Sequence, residues 1–394
     1  MTPSSPAGAG GPQAIIARSV HGLEWVCAWE ACTTVRIRGG VELSRREVRF
    51  DVDTVGPELL ALRTADDVFL KLADVGGAGA AKADLPALAK AAAGLDWEQA
   101  LRGLRAVRNV PPQGSFDVVA SLEGRRAYNR FAVERRIGLA LAPVLGAEFL
   151  ERDGGARAGG ESDITVRVFV RGEQATIAVR LASRPLHRRA YKVSTGPGTL
   201  HPPAAAALVV LGAPAAGVVL DPFCGDGTVA IEAALARAGV TVLASDIDGA
   251  RATNARQNAR RANVEIDVRE ADAAGLAARF TNVGAIITNP PWNQAVSAGG
   301  QLQTSGPGFW DSLSRVLGPE GVLCVLTDVG LDVPEVIAQR GWQLGLRQRI
   351  RLAGRVAEVS LAAPPGRPAP VLPASLTRWR DEALAQGIVT ETGF

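Results

Sequence analysis

The sequence predicts an α/β protein: a doubly wound, mostly parallel sheet in the C-terminal half, preceded by an α+β module. Three observations carry this. From residue 215 onward, short apolar runs alternate with amphipathic helical stretches, the pattern of strands buried on both faces and joined by crossover helices. A glycine-bearing turn, DPFCGDGT, follows the first of those runs and opens a helix. The first half alternates strands and helices with no such loop, and YKVSTGPGTL at 191–200 supplies the Gly, Pro and Ser of a connector.

In chain order, residues 1–13 are Pro, Ser, Ala and Gly without a basic start or an apolar run, which predicts a disordered tail and no signal peptide. Strands are expected at 14–18, 46–52, 115–122, 164–171 and 174–181, where apolar residues alternate or cluster between turn signals. Helices are expected at 23–31, 85–93, 97–107 and 130–141. These divide into two small units, 14–66 and 67–190. The apolar stretch 202–220 is broken by Gly212 and Pro214, so it reads as a short buried helix, a turn and a buried strand, not as a membrane span. Further strands are expected at 218–221, 240–246, 264–269, 283–288 and 321–327, with helices at 229–237 and 249–261. A closing pair of strands is expected at 342–348 and 357–361, which ends the domain near 363. The extension 364–394 starts Pro-rich and contains a short helix at 376–385.

Composition excludes some classes. At 394 residues the chain is long enough for more than one core. A net charge of +3 says little about partners, because a phosphate backbone responds to local patches. The four cysteines, Cys27, Cys32, Cys224 and Cys324, are too scattered for a disulfide framework and fit a reducing, cytoplasmic setting. No metal site can be assembled at zinc-ligand spacing.

The chemistry gathers after the strand ends. Gly225 and Gly227 let the backbone turn sharply beside a ligand. Asp246 ends the second strand, where a carboxylate can take both hydroxyls of a ribose. Asp272, after the third, can accept from an adenine amino group. After the fourth strand comes TNPPW. Its two prolines fix the backbone so that the Asn289 side chain and the Pro290 carbonyl aim two oxygen acceptors at one spot. An aromatic amine is a poor nucleophile because its lone pair is delocalised; acceptors on its hydrogens favour the pyramidal form that frees the pair. Trp292 offers a flat face for a base.

On these motifs, residues from about 200 to 361 resemble the Rossmann-like class I methyltransferase domain, with NPPW a variant of the amino-methyltransferase motif NPPY. LEW at 23–25, DITVRV at 163–168 and LHRRAYKVSTGPGTLHPPAAAAL resemble the THUMP-containing RNA methyltransferases. The resemblance implies a ferredoxin-like unit (14–66), a THUMP-like RNA-binding domain (67–190), a linker (191–200) and a catalytic domain (201–363). It implies S-adenosylmethionine as cofactor, held by Asp221, Phe223, Gly225, Gly227, Thr228, Asp246, Ile247, Asp272, Ala273 and Asn289. Asn289, Pro290 and Trp292 are then the catalytic set, and the activity is formation of N2-methylguanosine in structured RNA, tRNA foremost, by a monomer. Where Asp226 stands the family usually has Ser or Thr, which implies a negative charge beside the methionine moiety. Trp292 replaces Tyr, and Asn293 replaces Gly.

Basic clusters fit an RNA partner. Arg184, His187, Arg188, Arg189 and Lys192 adjoin the domain junction and are assigned to RNA. For Arg125, Arg126, Arg130, Arg135 and Arg136, RNA contact and a solvated face weigh equally. Arg256, Arg260 and Arg261 read as helix surface. Two other functions stay open: adenine N6 methylation of RNA or DNA, since NPPW suits any aromatic amine, and a non-catalytic RNA-binding scaffold.

Overall fold

The computed structural model describes residues 11–153, 156–157, 161–212, 214, 217–292 and 306–391. Most of the expected tail, and Asn293, lie outside the described residues. The first half runs β1 (Gln13–Ser19), α1 (Glu24–Thr34), β2 (Ile37–Ser44), β3 (Glu47–Val52), β4 (Ala65–Gly76), α2 (Leu85–Ala93), α3 (Trp97–Val107), β5 (Ser115–Leu122) and α4 (Arg130–Leu145). The short β6 (Glu148–Phe149), β7 (Arg152–Asp153) and β8 (Ala156–Arg157) lead to β9 (Ile164–Arg171) and β10 (Gln174–Arg180). All but β7 and β8 form one eight-stranded sheet, ordered β2-β3-β1-β4-β10-β9-β5-β6. The boundary expected between residues 66 and 67 falls inside β4, which pairs with β1 on one edge and β10 on the other, so the two expected units share a continuous sheet.

Strand alternation gives this sheet two different faces. Ile15, Ala17, Val68, Val118 and Val166 are buried with Trp25, Leu88, Leu104 and Ile137 of the helices in a single core. On the opposite face Ile16, Phe69, Phe169 and Ala178 make a separate small apolar cluster. The helices stop where local chemistry says they should. Asp96 and Asn129 cap α3 and α4 by accepting from Gln99 N and Ala132 N, and α4 ends at Gly146 in the left-handed region.

The second half runs α5 (Pro202–Gly212), β11 (Gly217–Asp221), α6 (Thr228–Ala236), β12 (Val240–Asp246), α7 (Gly249–Ala262), β13 (Asp267–Glu270), β14 (Val283–Thr288) and α8 (Gly306–Val316). It closes with β15 (Leu317–Asp328), α9 (Val333–Ala338), β16 (Gln343–Leu352), β17 (Arg355–Ala363) and α10 (Ala374–Ala385). The sheet order is β13-β12-β11-β14-β15-β17-β16; the first five strands are parallel, and β17 runs antiparallel to both its neighbours, β15 and β16. The order changes direction between β11 and β14. Beyond the carboxyl ends of those two strands lies the crevice where such sheets bind ligands.

The halves are stitched together at several points. The side chain of Glu232 on α6, fully buried, accepts from Arg63 (2.6 Å), Arg189 (3.0 Å) and the Tyr191 hydroxyl (2.8 Å). Arg351 N at the end of β16 donates to His21 O at 3.0 Å, an antiparallel bridge between β16 and the segment that follows β1. Gly22 permits it: its φ is +96°, and a Cβ there would lie 2.3 Å from Arg349 O. In the extension, α10 packs on α1 with Leu376, Trp379 and Ala383 buried, and Trp29 Nε1 donates to Ser375 Oγ at 3.1 Å.

Candidate active site

The crevice at the switch point opens into a cavity of about 1610 Å3 lined by both halves of the chain. Every residue assigned above to cofactor or catalysis lines it except Gly227, which shapes the loop from behind. Gly225 and Gly227 have φ of +51° and +83°, conformations that favour glycine, and a Cβ on Gly227 would press on Ala255 of α7 at 3.0 Å. The loop is thus held against α7 while its outer edge faces the cavity.

Asp246 is half-buried at the end of β12, and its Oδ2 accepts from Gly225 N at 2.8 Å while Oδ1 accepts from Asp248 N at 3.0 Å. Each carboxylate oxygen keeps lone-pair capacity for a further donor, as ribose recognition requires. Ile247 beside it is 48% exposed, an apolar surface left open for a flat ring. Asp272 accepts from Ala274 N at 2.9 Å, which orients its carboxylate at the end of β13.

Asp221 is fully buried at the end of β11, where its Oδ1 accepts from Thr288 Oγ1 at 2.8 Å and from Phe223 N at 3.3 Å. Burial pushes its pKa up to about 7 against those two hydrogen bonds, and the Asp246 charge adds to the rise. Such a carboxyl gains most from a cationic amine. These groups fit S-adenosylmethionine, for which Asp221 would hold the ammonium, Asp246 the ribose, and Ile247, Phe223 and Asp272 the adenine.

The TNPPW turn leaves β14 next to this loop. Asn289 Oδ1 is buried with no hydrogen-bond partner among the described residues. A buried carbonyl oxygen without a donor costs stability unless a ligand supplies one, and an exocyclic amine would. Trp292 is half-buried, its Nε1 donating to Leu326 O at 3.4 Å, which fixes the plane of the indole.

One expectation needs correction. Asp226 does not put a free negative charge beside the methionine moiety: its carboxylate accepts from Gly196 N (2.7 Å), Thr199 Oγ1 and Asn254 Nδ2 (3.0 Å) and pairs with Arg251 (3.3 Å). It clasps the expected linker 191–200 onto the glycine loop, so that segment is part of the cavity wall. Arg189 lines the cavity, but its guanidinium is already taken up by the junction of the two halves. Its guanidinium is buried against Glu232 and the carbonyl oxygens of Leu186 and Arg63.

The other expected RNA residues line the cavity. Arg184 and Arg188 are exposed; His187 stacks near His201, with 5.2 Å between ring centroids. Lys192 donates to Leu200 O at 3.2 Å, and burial lowers its pKa to about 8. In the earlier cluster, Arg126 is structural, donating to the carbonyls of Ala78, Gly79, Glu123 and Gly172. Sequence reasoning missed Arg18, Arg167, Arg180 and the Arg351–Arg355 turn as cavity residues. Arg167 and Arg171, on one face of β9 with Phe169 between them, were the available signal for one of them.

Residues 189–357 match the UPF0020 family, an RMKL-like methyltransferase domain. The chain is 35% identical over 297 residues to a tRNA (guanine(6)-N2)-methyltransferase of Thermus thermophilus, covering 73% of this chain and 81% of the relative. A tRNA (guanine(10)-N2)-dimethyltransferase of Methanothermobacter thermautotrophicus is 34% identical over 147 residues, 36% of this chain and 43% of that one. The crystal structure of TrmN from Thermus thermophilus superposes with a TM-score of 0.72 at 30% identity, over 89% of this chain and 99% of that chain. The glycine loop, the carboxylates at the strand ends and the NPPW turn thus stand in a chain that belongs to the RMKL-like family of S-adenosylmethionine-dependent methyltransferases.

Proposed function

We infer that this enzyme methylates N2 of a guanine in tRNA, acting as a monomer in the cytoplasm, with the first half serving as a THUMP-type RNA-binding module. The observation that carries the reading is the buried Oδ1 of Asn289, which has no partner among the described residues, beside a rigid Pro290-Pro291 backbone and an anchored Trp292. Relatives whose names specify guanine N2 in tRNA supply the base and the RNA.

S-adenosylmethionine, when bound, supplies an electrophilic methyl group on a sulfonium. The protein's residues do the rest. Asn289 Oδ1 and the Pro290 carbonyl accept from the amino group and hold its lone pair out of the ring; Trp292 stacks on the base. The base must leave its helix to reach them, which costs a few kcal/mol of unstacking that stacking on Trp292 partly offsets. Arg184, His187, Arg188 and Lys192 border the entrance as contacts for the backbone.

The deciding experiment is methylation of unmodified tRNA transcripts with labelled cofactor, followed by digestion to nucleosides and mass spectrometry. N2-methylguanosine is the expected product. N6-methyladenosine would replace the base assignment, and cofactor binding without turnover on tRNA or ribosomal RNA would mark a scaffold.

A further inference from the structure

The face of the first sheet opposite its helices is built from charged strands, and most of the cations on it are neutralised. Arg18 pairs with Glu47, and Arg180 pairs with Asp67 at 2.7 Å while donating to Thr165 Oγ1 at 2.9 Å. Next to Arg180, on the neighbouring strand β9, Arg167 is different. It has no hydrogen bond or ion pair with any described residue; its contact is the ring of Phe169, 4.8 Å from the guanidinium carbon. It is half-buried and lines the same cavity as Asn289.

We propose that Arg167 is a phosphate-binding residue for the RNA backbone, which extends the RNA-binding wall from the domain junction across the open face of the first sheet. The proposal rests on the RNA reading above. A cation near two other guanidinium groups is unfavourable on its own, and Phe169 offsets only part of that cost. Burial and those neighbours lower its pKa to about 10 against the opposing pull of the Asp67 and Glu134 carboxylates, so it stays charged at neutral pH, and neither carboxylate forms an ion pair with it. What would compensate it is an anion. Neither the cofactor nor a guanine carries a phosphate or a net negative charge suited to the site; in this reaction the polyanion is the RNA. Arg18 and Arg180, tied to their carboxylates, frame the seat without closing it.

The test uses the full chain with Arg167→Gln and Arg167→Lys, an unmodified tRNA transcript as probe, and filter binding across a salt series. Arg167→Gln should weaken RNA binding about tenfold and lower the slope of log affinity against log salt by about one, as loss of one phosphate contact does. Arg167→Lys should recover much of the affinity. The melting temperature of Arg167→Gln should not fall, because the wild-type guanidinium makes no hydrogen bond or ion pair with a described residue, and S-adenosylmethionine affinity should be unchanged. Wild-type RNA affinity and salt slope in Arg167→Gln would overturn the proposal alone. A wild-type chain that binds no tRNA would overturn the RNA reading and this proposal with it, and a lowered melting temperature in both variants would reassign Arg167 to the fold.

Discussion

Thr288 Oγ1 donates to Asp221 Oδ1 at 2.8 Å, a bond between the last residues of two neighbouring parallel strands, 67 positions apart. It ties the start of the cofactor loop to the residue before Asn289, so cofactor and base are positioned from one hydrogen-bonded point. Thr288→Val keeps the shape and removes the donor. The Asp221 carboxyl then loses a partner that favours its ionised form, and cofactor affinity near pH 7 should drop by about 1.5–3 kcal/mol. Calorimetry should show the deficit shrinking as pH rises. An unchanged affinity would mean the bond is structural only.

Asp221 should also set a pH dependence. With its pKa pushed up to about 7, the carboxyl is mostly protonated at pH 6 and mostly ionised at pH 8. An ammonium ligand selects the ionised form, so affinity should climb as pH rises toward 7 and then level, with proton release on binding below that point. Stability has the opposite sign. A raised folded-state pKa contributes stability fully below the unfolded value, which is lost as pH rises through the folded one. Asp221→Asn can still accept from Thr288 and Phe223 N, so it should raise the melting temperature of the cofactor-free protein above pH 7 while abolishing cofactor binding.

Asn289→Ala should lower single-turnover methyl transfer by about 10²–10³, the range for one preorganised polar group, with cofactor affinity intact. Because its Oδ1 is buried without a partner among the described residues, this variant should be at least as stable as the wild type. Trp292→Phe should keep most base capture, whereas Trp292→Ala should lose about 1–3 kcal/mol of it. Wild-type turnover in Asn289→Ala would reduce NPPW to a rigid turn.

Glu232 carries the junction of the two halves, accepting from three side chains in a fully buried position. Glu232→Ala leaves Arg63 and Arg189 without their carboxylate and should cost about 3–5 kcal/mol, read as a fall in denaturation midpoint. Tyr191→Phe removes one of the three donors and should cost about 1 kcal/mol. Equal effects of the two would show that the cluster does not join the halves.

Much of this was legible locally. The strands 115–122, 164–171, 240–246 and 283–288 and the helices 85–93 and 97–107 occupy the expected residues, because apolar alternation and turn signals act over a few positions. β4 was not foreseen. Its Asp67, Lys71 and Asp74 interrupt the apolar pattern, and they are tolerated because Arg180 and Thr176 of the adjacent strand answer two of them across more than a hundred residues. β2 was hidden by Gly39 and Gly40. In the site, the glycine loop and strand-end carboxylates could be read from spacing; the roles of Asp226 and Arg189 could not. Their partners, Gly196 and Thr199 for one and Glu232 for the other, come from distant segments that only the fold brings near.

The seating of α10 on α1 has a temporal side. Trp29 and Ser375 are 346 positions apart. At ribosomal rates of about 5–20 residues per second, α1 is made roughly 20–70 s before the helix that covers it. Through that interval the outer face of α1 is open to nascent neighbours and chaperones, and the first module lacks its cover until synthesis reaches α10. Completion of the first half is therefore coupled to the synthesis of α10.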